Sequence, residues 1–119
     1  MRISELSAQT GVSTHRLRRY ESLGLIRSDR QTNGYRTFNA DTVKSVVFID
    51  MSRKIGFSLE EIGQLVPRYR AKTLTSQEMV DAMTQKVEEI DELIASKHAH
   101  RQRLIDHIEW FKSQKRKLK

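Results

Sequence analysis

The sequence has no cysteine, so disulfides, thiolate metal sites and thiol redox sensing are excluded over these 119 residues. It has one proline, Pro67, and five glycines, which leaves long stretches with nothing to break a helix. Aromatic residues make up 7%, enough for a small core only; such a core gains stability from oligomerisation. No apolar run approaches a membrane span, and Met-Arg-Ile-Ser does not begin a signal peptide. A soluble, cytoplasmic protein with no membrane partner is therefore expected. There is no glycine-rich phosphate loop, no activated nucleophile and no paired acids of a catalytic site, so neither enzymatic activity nor a cofactor is expected.

What the chain does have is positive charge. The net charge is +7, of which residues 1–70 hold +5 and residues 71–119 hold +2. The densest span runs from Arg16 to Arg36. There Arg16, Arg18, Arg19, Arg27, Arg30 and Arg36 face only Glu21 and Asp29. The planar guanidinium fork grips phosphates and guanine edges at two points. A basic surface alone says only that a protein dissolves; six arginines beside a turn motif point to nucleic acid.

That motif opens with a short helix over Ser4–Gln9, for which Ser4 is a candidate cap. Gly11 breaks it and Val12 plugs the turn. Ser13 caps a second helix, Thr14–Ser22, which turns Leu17 and Tyr20 inward and ends before Gly24. Helix, glycine turn, helix is the layout of a helix-turn-helix. Asn33-Gly34 then signals a tight hairpin, with Tyr35 and Phe38 framing a short strand, and this forms a wing.

A third helix is expected from Ala40 to Ile55, capped by Asn39 or Asp41, with Val43, Val46, Val47, Ile49 and Met51 as its apolar positions. Ser58 and Glu61 make a capping box for a fourth helix, with Phe57 placed to staple onto Ile62. Pro67 is expected to stop that helix after Val66, leaving 68–74 as a polar connector. Thr75 to Glu78 form a second capping box. From there to about Ser113 neither glycine nor proline intervenes, which predicts a rod of roughly 55–60 Å.

Along that rod Val80, Met83, Val87, Ile90, Ile94, Leu104, Ile108 and Phe111 recur at three-four spacing and form a heptad seam, interrupted by Lys97 and Arg101. An exposed stripe of this length aggregates unless paired, so a homodimer is expected. The spacing leaves parallel and antiparallel pairing both open. The expected organisation is a DNA-binding domain over 1–70, a dimerisation helix over 75–113 and a basic tail over 114–119.

Four segments in this order resemble the mercury-resistance regulator (MerR) family of transcription factors. They are Ile3-Ser4-Glu5-Leu6 with Thr10-Gly11-Val12-Ser13, the run from Leu17 to Ile26, the wing Gly34-Tyr35-Arg36, and the run from Ile55 to Ile62. The resemblance covers residues 1–113. It implies a mainly α fold: a winged helix-turn-helix followed by a long helix paired as an antiparallel coiled coil. It also implies a homodimer on a roughly palindromic promoter operator, which distorts an over-long spacer so that RNA polymerase meets both promoter elements. Larger relatives append an effector domain, and the few residues after the rod suggest a short form without one. The family usually places an aromatic residue where this chain has Arg19.

The candidate DNA contacts are Thr14, His15, Arg18 and Arg19 on the second helix, with Arg16 next; the first-turn residues of a recognition helix face the major groove. Arg36 and Tyr35 would reach phosphate or the minor groove from the wing, with core packing an equal alternative for Tyr35. The resemblance adds a phosphate role for Arg53, whose alternative is to interact with its helix's C-terminal dipole. Arg68, Tyr69, Arg70 and Lys72 are weaker candidates for the same role. A coiled-coil interaction protein tethered non-specifically to nucleic acid is the alternative reading, and a recombination accessory factor a smaller one.

No metal site is expected. His100 and His107 stand two turns apart, and His98 and His100 face different ways. Three routes of signalling stay open. One is a small-molecule effector near Trp110 and Phe111, another a protein partner on the basic tail, and the third no effector at all.

Overall fold

The computed structural model describes residues 1–30 and 34–114, with Arg30 described by its backbone only. It divides into two compact units, Met1–Thr75 and a second that begins at Ser76. In the first unit, α1 (Ile3–Thr10) and α2 (Thr14–Ser22) are followed by β1 (Asp29–Arg30), β2 (Arg36–Thr37), α3 (Ala40–Lys54) and α4 (Leu59–Arg70). The second unit is one helix, α5 (Ser76–Gln114).

Each helix start has a local cause. Ser13 Oγ accepts from the Arg16 amide (3.2 Å) at the head of α2, and Asn39 Oδ1 accepts from the Thr42 amide (3.1 Å) at the head of α3. Before α4 the box closes both ways: the Ser58 amide donates to Glu61 (2.9 Å) and the Glu61 amide to Ser58 Oγ (3.1 Å). Ser4 is not the cap of α1. The Phe38 amide donates to the Met1 carbonyl (2.6 Å), which sets an extended Arg2 before the helix. The helix therefore starts a residue earlier, and Glu5 accepts from the Arg2 amide (3.3 Å). Gly11 ends α1 at φ 74, a left-handed conformation that a side chain would strain, and its amide closes on the Ser7 carbonyl (2.9 Å).

The core is a single apolar layer between α1, α2, α3 and α4. Leu6, Val12, Leu17, Ile26, Phe38, Val46, Ile49, Phe57, Ile62 and Val66 are all buried there. At the conventional 25 cal/mol per Å², each large side chain so buried contributes about 1.5–3 kcal/mol. The inner face of α3 differs from the expected one. Val47 and Met51 lie about half exposed, while Thr42, Ser45, Val46, Ile49 and Ser52 turn inward. These five follow 3.6-residue spacing, and three of them are small and polar.

The wing pairs β1 with β2 antiparallel, Asp29 opposite Thr37 and Arg30 opposite Arg36. Gly34 has φ 83; Asn33, the other half of the expected turn, lies outside the described residues.

Pro67 does not stop α4. The helix runs through it to Arg70, and the connector shrinks to 71–75. Proline removes one amide donor, a loss that tertiary contacts offset in the last turn. Tyr69 stacks on Phe48 with ring centroids 4.3 Å apart and planes 7° from parallel. Arg70 donates to Ser45 Oγ (3.3 Å) and to the Leu25 carbonyl. The Ala71 amide then bonds the Pro67 carbonyl (3.0 Å).

The second unit, taken alone, is a helix of 39 residues, about 58 Å long, with no buried residue. Its seam residues are 38% to 56% exposed, from Met83 to Val87.

Removing the ring that holds the end of α4 should cost stability. Tyr69→Ala is expected to destabilise the protein by about 2 kcal/mol, from lost stacking and burial. Hydrogen exchange should show the Ala71–Thr73 amides opening before those at the head of α4. Unchanged protection there would mean that the stack does not hold the turn.

Candidate nucleic-acid interface

Helix α2 has nine residues, and its faces sort by angle. Leu17 and Tyr20 are buried and define the inner face. At 100° per residue the opposite face carries His15, Arg18, Arg19 and Ser22, all exposed. Among the described residues, no acidic side chain pairs with Arg18 or Arg19. Thr14 is half-buried at the first turn.

The two flanks of α2 are clamped. On one side Arg16 forms an ion pair with Asp50 of α3 at 2.6 Å, its side chain 45% exposed and that of Asp50 only 11%. Tyr20 donates its hydroxyl to the same Asp50 oxygen (3.3 Å), and Lys54 reaches the other oxygen at 3.1 Å. Asp50 thus collects two cations and a phenol, and joins the middle of α2 to the last third of α3. On the other side Glu21 accepts from Arg36 of β2 (3.0 Å) and from Ser28 Oγ. This second pair ties the wing to α2. Each link is worth at most about a kilocalorie where water reaches it, and more at the sheltered Asp50. Their larger effect is geometric. They fix the rotation of α2 and leave its outer cations without internal partners.

The wing and α3 place the remaining candidates. Tyr35 is exposed and carries the Arg2 guanidinium over its ring, 4.3 Å from the centroid. Arg53, in the last turn of α3, donates to the Phe57 carbonyl (3.2 Å) across the α3–α4 turn. Arg36 keeps about half of its side chain exposed beyond Glu21.

The sequence reasoning missed Asp50, Arg2 and the role of Glu21. The i,i+4 spacing of Asp50 and Lys54 was visible in the chain, but the bond from Asp50 to Arg16 spans 34 positions and needs the fold. On α5, His98, His100 and His107 are exposed, and among the described residues no three of His, Cys, Asp or Glu converge as a metal site. No helix among them is long and apolar enough to cross a membrane.

A clamped helix-turn-helix that presents unpaired arginines beside a two-stranded wing defines a DNA-binding protein of the winged helix-turn-helix class. The chain belongs to the MerR family. The family model described as MerR HTH family regulatory protein matches residues 1–69, and a second, described as MerR, DNA binding, matches 43–107. It is therefore a DNA-binding transcriptional regulator and not an enzyme.

Among its relatives is the HTH-type transcriptional regulator HmrR of Rhizobium leguminosarum bv. viciae. The two are 40% identical over 94 residues, 79% of this chain and 73% of the relative. The solved structure of the transcription regulator PbrR691 from Ralstonia metallidurans CH34, in complex with lead(II), matches with a TM-score of 0.73 and 26% identity. That match covers 89% of this chain and 83% of the other. HiNmlR, a MerR family regulator lacking the sensor domain and solved on promoter DNA, shares the fold at a TM-score of 0.61 and 19% identity. It covers 84% of this chain and 76% of the other.

The Asp50 clamp has a measurable consequence. Asp50→Ala leaves Arg16 and Lys54 facing one another with no counter-charge and is expected to cost about 2 kcal/mol. Arg16→Ala should cost less, about 1 kcal/mol, because Lys54 still neutralises the carboxylate. Chemical denaturation of both variants checks the order, and equal losses would argue against Asp50 as the hub.

Proposed function

We propose that this regulator works as a homodimer that grips a roughly palindromic promoter operator with two α2 helices and distorts the DNA between them. The observation that carries this reading is the apolar stripe of α5: eight seam residues over 39 positions, all exposed in the single chain. Only a partner of matching length and spacing covers such a stripe, and a second copy of α5 has both. Pairing two copies places two heads on one duplex, and the family membership favours antiparallel pairing.

His15, Arg18 and Arg19 would read base edges from the outer face of α2, with Thr14 at the groove edge. Arg36, Tyr35 and Arg53 would hold phosphates and set the register of the head on the duplex. Arg16 acts mainly through Asp50, with its exposed portion available to a flanking phosphate. Binding energy gathered by the phosphate contacts would be spent on bending and untwisting the spacer, which alters how polymerase meets the promoter.

PbrR691 was solved with lead(II). These 119 residues contain no thiolate to ligate such a metal. We therefore favour an effector other than a thiolate-bound metal.

Selection from a random duplex pool should enrich an inverted repeat bound at least about 10³-fold more tightly than random DNA. On the selected site Arg18→Ala should cost about 1–3 kcal/mol and relax the preference at one base pair. Sedimentation should give a dimer at micromolar concentration, and Val87→Glu with Ile94→Glu should give a monomer. A binder with a steep salt slope and no sequence preference would instead be a non-specific tether.

A further inference from the structure

The face of the head built from the start of α3 and the end of α4 holds charge that DNA reading by α2 does not use. There a cleft of about 540 Å³ opens, within the range of small-ligand sites. Its wall brings together Arg27, Lys44, Arg70 and Lys72, with Asp41 as the only carboxylate. The four cations come from four separate stretches: the segment before β1, α3, the end of α4 and the connector after it. Among the described residues, Arg27, Lys44 and Lys72 form no ion pair, whereas Glu21 and Asp50 elsewhere in the head are both engaged.

Two further observations show that the charge is held there against resistance. Arg70 is anchored by Ser45 Oγ and the Leu25 carbonyl, and its pKa is lowered by burial and then by the nearby charge of Arg27. Lys72 has φ 58 and is the only described non-glycine residue in the left-handed region. Its amide closes α4 on the Tyr69 carbonyl (3.1 Å), a position that glycine fills with least strain. A lysine there adds a cation to the cleft at the expense of backbone comfort. The Tyr69 ring, stacked on Phe48, supplies an apolar wall.

We propose that this cleft binds a free small oxyanion, of the phosphate or dicarboxylate class, at a site separate from the DNA-reading face. Asp41, which lines the cleft, lies nine residues before Asp50, about 13.5 Å along α3 from the clamp that orients α2. An anion seated among Arg27, Lys44, Arg70 and Lys72 relieves their mutual repulsion and draws α3, α4 and the pre-wing segment together. Occupancy would stabilise the scaffold that carries Asp50 and Arg36, and so couple anion level to the posture of the DNA-reading face.

The test is thermal unfolding and calorimetry of the full chain with inorganic phosphate against chloride at matched ionic strength. Saturable phosphate binding, one per chain, with a rise in Tm of roughly 4 °C or more at saturation, is expected. Lys44→Gln should weaken binding at least about tenfold. Lys72→Gly should do the same while leaving the phosphate-free protein at least as stable, because it removes the strained φ; this separates loss of the site from loss of the fold. A phosphate effect equal in wild type and both variants would be a bulk salt effect and would overturn the proposal, as would no saturable binding. The last arm repeats the titration on protein saturated with a random-sequence duplex. Undiminished phosphate binding supports a free anion, while one-for-one competition would assign the cleft to the DNA backbone and overturn it.

Discussion

The orientation of α2, and with it the proposed DNA-reading face, rests on a pair of ion bridges that hold a nine-residue helix from both sides. A helix as short as α2 is marginal by itself, and its inner anchor is only Leu17 and Tyr20. Asp50 grips one flank through Arg16 and Glu21 grips the other through Arg36. The head therefore places its acids where they position basic side chains, and not where they would neutralise Arg18 and Arg19. Without those two acids the cations of α2, α3 and the wing would repel one another across a small core. With them, α2 is tied to α3 on one side and to the wing on the other.

Helix α3 is the common support. Its last third carries Asp50 and Arg53 toward α2 and the α3–α4 turn, and its middle third carries Ser45 and Phe48 toward the end of α4. This accounts for the tolerance of Pro67: the turn after it is held by a stacked ring and an anchored guanidinium, not by its own backbone bonds alone.

Much of the architecture was legible along the chain because its causes are local. The Ser13 cap, the Ser58–Glu61 box, the inward Leu17 and Tyr20 and the uninterrupted α5 each depend on residues within a turn or two of one another. The misreadings share the opposite property. Ser4 loses the cap of α1 because Met1 is bonded to Phe38, a residue from beyond the wing. Pro67 fails to end α4 because of Phe48, Ser45 and Leu25. Val47 and Met51 are apolar yet exposed, because the face that α3 buries is chosen by its neighbours.

The order of helices, the wing, the basic head and the apolar seam of α5 were determined by the sequence itself, since periodicity, caps and charge are properties of neighbouring residues. Tertiary structure alone decided which cations stay unpaired. Arg16 and Arg18 are two positions apart and chemically identical. One is engaged by Asp50 and the other is left facing outward, because folding carries a single carboxylate across 34 positions to one flank of the helix and not to its outer face.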